Sequence, residues 1–230
     1  MSHSVHPYSH RLGIIRDWKS RWFGVNKNYR NALKADLLIR QFLTKELRSF
    51  FLSDVQIERN QKSLHIIIRS SRPGMIIGRS GDGVVKLREK ILNLLKRNKI
   101  SLAGQELKLD IEEVRNPETD AAIVSLIVAE GLEKRLPFRR VLKQTVEKVM
   151  ANREVQGVKI KLSGRLGGAD MARQEDLKRG RIPLQTLRAD ISFAREKAHM
   201  TYGDIGIKVW IFKGHIFEKD LKNASQTANR

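Results

Sequence analysis

The chain has 230 residues, of which 45 are Lys or Arg and 25 are Asp or Glu, so its formal net charge is +20. A compact chain of that charge repels itself, and the composition therefore favours a polyanionic partner over a merely basic surface or a membrane surface. The longest apolar run, Ala121–Ala129, is interrupted by Ser125 and is shorter than the roughly 20 residues that span a bilayer. The chain has no cysteine, which excludes disulfides, thiolate zinc sites and cysteine nucleophiles.

The positive charge is concentrated in the two flanks of the chain. Residues 1–50 carry 10 basic and 3 acidic side chains, and residues 51–108 carry 12 and 5. Residues 109–158 are nearly neutral, with 8 and 9, whereas residues 159–230 carry 15 and 8. A single binding stripe would give a different profile, so this distribution predicts several separate contacts with RNA. The first residues contain no apolar segment of a secretory signal, and we expect a cytosolic or organellar location.

The first half of the chain predicts one α+β unit. Residues 1–29 show no periodicity, and Trp18, Trp22 and Phe23 are interpreted as anchors onto a surface. Apolar residues at helical or alternating spacing define the elements that follow. In chain order these are a helix over Tyr29–Phe51, strands at Val55–Glu58 and Leu64–Ile68, a helix over Asp82–Lys96 and a strand at Glu106–Val114.

The second half predicts another α+β unit, which starts near Pro117 because a residue before proline avoids the helical region. Apolar periodicity indicates two helices followed by a three-stranded sheet. The terminal residues 223–230 are polar and without periodicity, so we expect them to be disordered. The predicted elements are a helix from Thr119 or Asp120 to Lys134, a helix from Pro137 to Arg153, and strands at 158–163, 187–193 and 205–213.

A glycine-rich turn lies between the second strand and the second helix of the first unit. It contains a G-x-x-G motif, made by Gly78, Arg79, Ser80 and Gly81. The glycines let the backbone approach a sugar-phosphate strand closely, and the helix that follows offers unpaired N–H groups to phosphate oxygens. The motif is typical of a loop that clamps a nucleic-acid backbone; the alternative is a purely structural turn. No Gly-Lys-Ser/Thr follows, so it is not a nucleotide-triphosphate loop.

A basic cluster lies at the start of the second helix of the second unit. Arg139 and Lys143 are four residues apart, and Arg140 and Lys143 are three apart. All three therefore project from one side of the helix, away from its apolar side. This spacing indicates a candidate phosphate-binding surface, and the alternative is an ordinary solvated helix face.

A third candidate segment interleaves glycine and arginine between predicted strands. Arginine offers a planar fork that binds phosphates bidentately and stacks on bases. A plain glycine-rich connection is the alternative. The candidate RNA contacts in this segment are Arg165, Arg173, Lys178, Arg179 and Arg181.

No catalytic or metal-binding arrangement is predicted. The histidines outside the N-terminal segment are isolated in the sequence. Glu112 and Glu113 are adjacent on a strand, so their side chains face opposite ways, and no spacing indicates a nucleophile with its base. We therefore expect no enzyme activity, no metal, no cofactor and no small-molecule substrate.

Three blocks of sequence resemble one known family in order. They are Val5-His-Pro7 with Arg11-Leu-Gly-Ile14, then Pro73–Gly81, and then residues 157–214, which include Ser163-Gly-Arg-Leu-Gly-Gly-Ala169 and Thr201-Tyr-Gly-Asp-Ile-Gly-Ile-Lys-Val-Trp-Ile211. Over about residues 1–214 the chain resembles the family of small-ribosomal-subunit protein three, in its bacterial or organellar form. So long an ordered series of matches is highly specific to that family.

The resemblance implies an α+β fold with a type II KH domain and a second, two-layer α/β domain. Its expected boundaries are an N-terminal arm at 1–16, the KH domain at 17–110, the α/β domain at 111–214 and a disordered tail at 215–230. It also implies a place on the head of the small ribosomal subunit, bound to ribosomal RNA (rRNA). The implied neighbours are small-subunit proteins ten and fourteen.

The resemblance further implies roles for individual residues. Arg139, Arg140 and Lys143 match positions that line the tunnel through which mRNA enters the subunit and that help to part structured mRNA. The resemblance makes the five candidates of the glycine- and arginine-rich segment contacts to rRNA, and it adds Arg11 to them. Ser80 stands where the family often has glycine.

Two other functional classes are weighed against this interpretation. A free-standing KH-type RNA-processing or decay factor would be expected to carry a catalytic domain or a long carboxylate cluster. An RNA-cleaving nuclease would need paired carboxylates with a metal, or a pair of histidines. The sequence has neither pattern.

Overall fold

Two four-stranded sheets, each packed against helices, make up the chain. The computed structural model describes residues 5–100 and 106–217. Contacts divide the chain into one unit at Trp18–Arg115 and a second unit that joins the residues up to Asp17 with those from Asn116 onward. The predicted α+β class is confirmed. Among the described residues, no helix has the length and apolar character needed to cross a bilayer.

The first unit places two long helices against a mixed sheet. Its strands lie in the order β1-β2-β3-β4, in which β2 and β3 are antiparallel while β4 runs parallel to β3. The elements of this unit are β1 (Ser20–Arg21), α2 (Asn26–Glu46), β2 (Leu52–Arg59), β3 (Ser63–Ser70), α3 (Pro73–Ile77), α4 (Asp82–Arg97) and β4 (Glu106–Glu113); the second unit's α1 (Pro7–His10) precedes them in the chain.

Burial follows the spacing that the sequence displays. In α4, Leu87, Ile91 and Leu95 are buried at intervals of four residues, which is the inward face of a helix. In β3 every second residue from Leu64 is buried, as a strand with one face on a core requires. These two faces share one core with Ile39 and its neighbours on α2.

The N-terminal third is more ordered than its sequence indicates. Residues 1–29 were expected to be irregular, but they include α1, β1 and the start of α2, which begins at Asn26. Of the three expected aromatic anchors, Trp22 is held in place, since its indole N–H donates to Asp36 over 2.7 Å. Trp18 is 62% exposed and Phe23 is 90% exposed. Neither of these two side chains is buried in its own fold.

The second unit packs two helices on one face of an antiparallel sheet. The strands lie in the order β6-β5-β8-β7. Val158, Ile160 and Leu162 point from β5 into the core that the helices cover. The elements are α5 (Ala121–Glu133), α6 (Phe138–Ala151), β5 (Gly157–Gly164), β6 (Arg173–Gly180), β7 (Ala189–Met200) and β8 (Gly203–His215).

The prediction of a three-stranded sheet in the last third is wrong, because β6 is a fourth strand. Its sequence contains one apolar side chain, Leu177, which is half-buried. Because β6 lies at the edge of the sheet, it needs no alternation of apolar residues. The predicted strand over 187–193 also continues as β7 to Met200. Of the predicted tail at 215–230, residues beyond 217 lie outside the described part.

The N-terminal segment is fixed onto the sheet of the second unit by a buried arginine. Arg11 is 0% exposed, and its guanidinium donates to the carbonyl oxygens of Pro7, Leu184 and Thr186 over 2.9, 2.9 and 2.8 Å. Burial lowers its pKa, an effect that nearby Asp190 opposes. The predicted contact of Arg11 with rRNA does not fit this burial, since the side chain presents no surface to RNA and its two terminal nitrogens donate to the protein's own backbone.

Candidate nucleic-acid interface

The G-x-x-G motif forms a backbone turn between two helices of the first unit. The turn expected from the sequence is preceded by a short helix, α3, which ends at Ile77 and has Gly78 as its C-terminal cap residue. Gly78 has φ +72° and Gly81 has φ +84°, conformations that glycine adopts without steric cost. Between them, Arg79 and Ser80 are both exposed. The loop thus presents its main chain and one cation to solvent.

Ser80 adopts a left-handed conformation, with φ 54° and ψ 18°. A side chain in this region costs of order 1 kcal/mol relative to glycine. A glycine at this position would adopt the same conformation without that cost. The helix α4 starts directly after it and has no side-chain cap at Gly81, which leaves N–H groups of its first turn for an anion. Asp82, exposed in that first turn, contributes a negative charge at the same end.

Gly83 is required for the loop to pack, and the sequence analysis did not single it out. A Cβ at this position would lie 2.2 Å from the carbonyl oxygen of Ile76. The backbones of α3 and α4 therefore touch at this glycine, which sets the angle at which the loop leaves the sheet. The sequence signal that could have identified this position is a glycine two residues after the G-x-x-G motif.

Apolar side chains flank the motif and are exposed. Met75 is 59% exposed, Ile77 is 37% exposed and Val85 is 56% exposed. Of the α3 segment only Ile76 is buried. A cation next to apolar surface suits a single nucleic-acid strand, which presents both phosphates and the faces of its bases.

The basic cluster of the second unit lies on the solvent side of α6. Arg139, Arg140 and Lys143 are all exposed, whereas Val141 and Leu142 between them are buried. Arg140 and Lys143 form no ion pair with any residue that the structure describes. The cap residue of α6, Pro137, has no side-chain hydrogen bond to the first turn. The helix therefore adds partial positive charge to the cluster.

An aromatic ring and a carboxylate join this cluster to the edge strand. The guanidinium carbons of Arg139 and Arg173 lie 5.7 and 5.5 Å from the centre of the Phe138 ring. Glu175 lies 3.6 Å from Arg139 and 3.5 Å from Arg173. Stacking and charge hold both arginines near one another. The structure thus brings together two candidate groups that the sequence analysis treated separately.

Arg165 is partly buried and forms hydrogen bonds within its own fold. It donates to the carbonyl oxygens of Ala169 and Tyr202 over 2.9 and 3.3 Å, and it contacts Asp170 over 3.0 Å. These bonds shape the glycine-rich loop that follows β5. Its role as an rRNA contact stays a prediction, with fewer donors free than the sequence analysis assumed.

The remaining candidates lie on different sides of the second sheet. Arg179 is opposite Val158 and so belongs to the helix-covered side, whereas Lys178 is opposite Lys159 on the other side. Arg181 follows β6, and its backbone lies against Gly157. All three are exposed. Their rRNA contacts stay predictions. Because Lys178 and Arg179 lie on opposite sides of the sheet, one RNA surface could not contact both.

No group of three or more potential metal-ligating side chains occurs within the described residues. Two carboxylates of β4, Asp110 and Glu112, pair with basic side chains of β3. Asp110 lies 2.5 Å from His65, and Glu112 lies 2.7 Å from Arg69. These pairs join β3 to the parallel strand β4.

Two family models match this chain. A model described as "KH domain" matches residues 38–119, and one described as "Ribosomal protein S3, C-terminal domain" matches residues 128–211. The first match covers the segment from α2 through β4, whose order α-β-β-α-α-β is that expected for a type II KH domain. The second covers most of the sheet and the helices of the second unit. Together and in this order, the two matches fit a ribosomal protein S3 with an N-terminal KH domain, an RNA-binding protein of the small ribosomal subunit.

Proposed function

We propose that the first two turns of α6 line the tunnel through which mRNA enters the small subunit. The proposal rests on one observation: Arg139, Arg140 and Lys143 point into solvent from one side of a helix whose other side is core. Arg140 and Lys143 lack ion pairs within the described residues, so phosphate would not have to displace a carboxylate from them. Arg139 would exchange a long contact with Glu175 for one with RNA.

In this proposal the cluster acts by holding one strand of mRNA as it is drawn inward. Three cations spread over about one helical turn bind successive phosphates without reading bases. A hairpin that reaches the tunnel would then be opened, because the held strand advances while its partner is excluded. The chain itself would use no nucleotide and need no cofactor, since translocation supplies the movement.

The same proposal includes a position on the ribosome and further RNA contacts. We place it on the head of the subunit, beside small-subunit proteins ten and fourteen, in cytoplasmic or organellar ribosomes. The KH loop at Gly78–Gly81, with Arg79, is a proposed contact to rRNA or to a single strand. Arg173, Lys178, Arg179 and Arg181 are proposed rRNA contacts. Cross-linking within the assembled subunit tests these neighbours.

The test of the tunnel role replaces all three cations in ribosomes. Arg139→Ala, Arg140→Ala and Lys143→Ala together should leave incorporation into the subunit unchanged but slow translation through a stable hairpin. Lys148→Ala is the matched control, because it removes an exposed cation from the far end of the same helix. Translation of an unstructured message should be unaffected in both cases.

The outcome that contradicts the tunnel role is an unchanged rate through hairpins in the triple variant. Failure of the triple variant to enter the subunit would instead assign these cations to rRNA. Sedimentation of a tagged chain through a sucrose gradient, with a high-salt wash, separates the two results before any rate is measured.

A further inference from the structure

The side of the second sheet that faces away from α5 and α6 is strongly basic. In β5, residues 158, 160 and 162 point to the helices, so Lys159 and Lys161 point to the opposite side. The cross-strand register places further basic residues beside them on that side. These five residues, which we call the basic sheet face, are Lys159 and Lys161 of β5, Lys178 of β6, Arg195 of β7 and Lys208 of β8.

The register sets like charges directly opposite one another. Lys161 is paired with Lys208, and Lys208 is paired with Arg195 on its other side. Lys159 is likewise paired with Lys178. Like charges at directly opposed positions destabilise a sheet, so the fold carries a cost here that nothing in its packing requires. A polyanion bound across the strands would remove that cost.

Little negative charge offsets this face. Asp176 of β6 contacts Lys159 over 2.8 Å, and Asp204, on the same side of β8, pairs with Lys197 and His199 and not with these five residues. The hydrogen bond from Lys159 lowers the pKa of Asp176, and the charges of Lys159 and Lys161 lower it further. Lys161, Lys178, Lys208 and Arg195 form no ion pair with residues in the described ranges. Four cations are therefore left for a partner.

The face includes a groove of about 310 Å³ whose floor holds Trp210 and Ile182. The Trp210 ring is already engaged, with Phe193 at 5.2 Å between ring centres and the Lys159 ammonium at 5.9 Å. Surfaces for single strands combine cations with aromatic rings that are free to stack on bases. On this face the cations are exposed but the aromatic ring is not free to stack, so the face suits the phosphate backbone of an RNA duplex better than a single strand.

We propose that the basic sheet face binds the phosphate backbone of double-stranded RNA, at a site separate from the Arg139 cluster on the helix side of the same unit. The proposal rests on the RNA-binding function described above and adds a surface to it. Adjacent strands are about 4.8 Å apart and alternate residues about 6.6 Å apart along a strand. The cations therefore form a grid that follows phosphates without contacting bases.

The test measures binding of the full chain to an RNA duplex of about 16 base pairs, the span that a duplex-binding domain covers. Lys161→Gln with Lys208→Gln should make the plot of log affinity against log salt shallower by about two, since each lost phosphate contact removes about one. Affinity at low salt should fall about tenfold. The control, Lys34→Gln with Lys45→Gln on α2, removes the same charge from exposed positions outside this face.

A second measurement separates binding from folding. The Lys161 and Lys208 variant should unfold at the same or a higher urea concentration than the unaltered chain, because it removes opposed like charges. Equal salt slopes in this variant and in the control would overturn the proposal. Unchanged slopes with loss of incorporation into the subunit would also overturn it and assign the face to a protein neighbour. Absence of any RNA binding by the unaltered chain at low salt would instead refute the RNA-binding function itself.

Discussion

Replacing Arg11 distinguishes a structural arginine from an RNA-binding one. In the structure its guanidinium joins α1 to the segment before β7, through carbonyl oxygens of Pro7, Leu184 and Thr186. Arg11→Ala should therefore unfold the second unit at lower urea concentration, in the free protein and without RNA. If Arg11 contacted rRNA, the same change would leave the free protein as stable as before.

The expected loss follows from three hydrogen bonds with a charged donor. Each such bond contributes about 1.5–3 kcal/mol net of desolvation, and the three bonds share one side chain, so their contributions do not simply add. The loss for Arg11→Ala is then about 3 kcal/mol or more, because the change also leaves three carbonyl oxygens without this donor. Arg11→Lys should recover only part of it, because one ammonium group cannot reach both segments as the planar fork does.

Urea unfolding followed by the fluorescence of Trp210 measures this loss. Trp18→Phe and Trp22→Phe remove the other two indoles, both of which lie in the first unit. Amide hydrogen exchange at residues 184–189 should accelerate in parallel, since this is the segment that Arg11 holds. A loss below about 1 kcal/mol, with exchange unchanged, would refute the view that the buried guanidinium fixes the N-terminal segment.

Three further changes test the charge and packing of each unit. Gly83→Ala should destabilise the first unit by about 1–3 kcal/mol, because the new Cβ would meet a backbone oxygen. Gly74→Ala should not, because nothing lies within 4 Å of a Cβ at that position. Equal urea midpoints for the two variants would contradict this prediction. Glu175→Gln should strengthen binding of single-stranded RNA in fluorescence anisotropy by removing the carboxylate that contacts Arg139, and weaker binding would mean that its positioning effect outweighs its charge. Asp176→Asn should raise affinity for duplex RNA. It should also flatten the loss of stability in acid, because a carboxylate with a lowered pKa stabilises the fold above its ordinary range and loses that effect as the pH falls through the folded pKa.

Periodic elements could be predicted from the sequence because burial dictates their spacing. The helix α4 needs an apolar residue about every fourth position, and β3 needs one at every second, so both patterns are visible in the chain. The edge strand β6 buries almost nothing, so its sequence carries no such pattern. Its existence depends on hydrogen bonds to β5, which are made by backbone groups that every sequence shares.

For the candidate sites, the sequence predicts which side chains of one helix are exposed but not which distant segments they contact. The exposed side of α6 follows from the positions of Arg139, Arg140 and Lys143 relative to its apolar residues. The pairing of Arg139 with Arg173 around Phe138 does not follow from the sequence, because it depends on which strand lies next to α6. Nor can the sequence distinguish Arg11 from an RNA-binding arginine, since the carbonyl groups that bury it lie more than 170 positions further along the chain.

A basic residue in this chain has one of two physical roles, and net charge alone cannot separate them. Arg11 and Arg165 bind carbonyl oxygens of their own fold, so an RNA phosphate would have to compete with bonds already made. Lys161 and Lys208 repel each other across the sheet and form no ion pair among the described residues. An RNA that binds the second pair gains its own attraction and also removes that repulsion. The cations that destabilise the free protein are therefore those from which the largest salt-dependent contribution to RNA binding is expected.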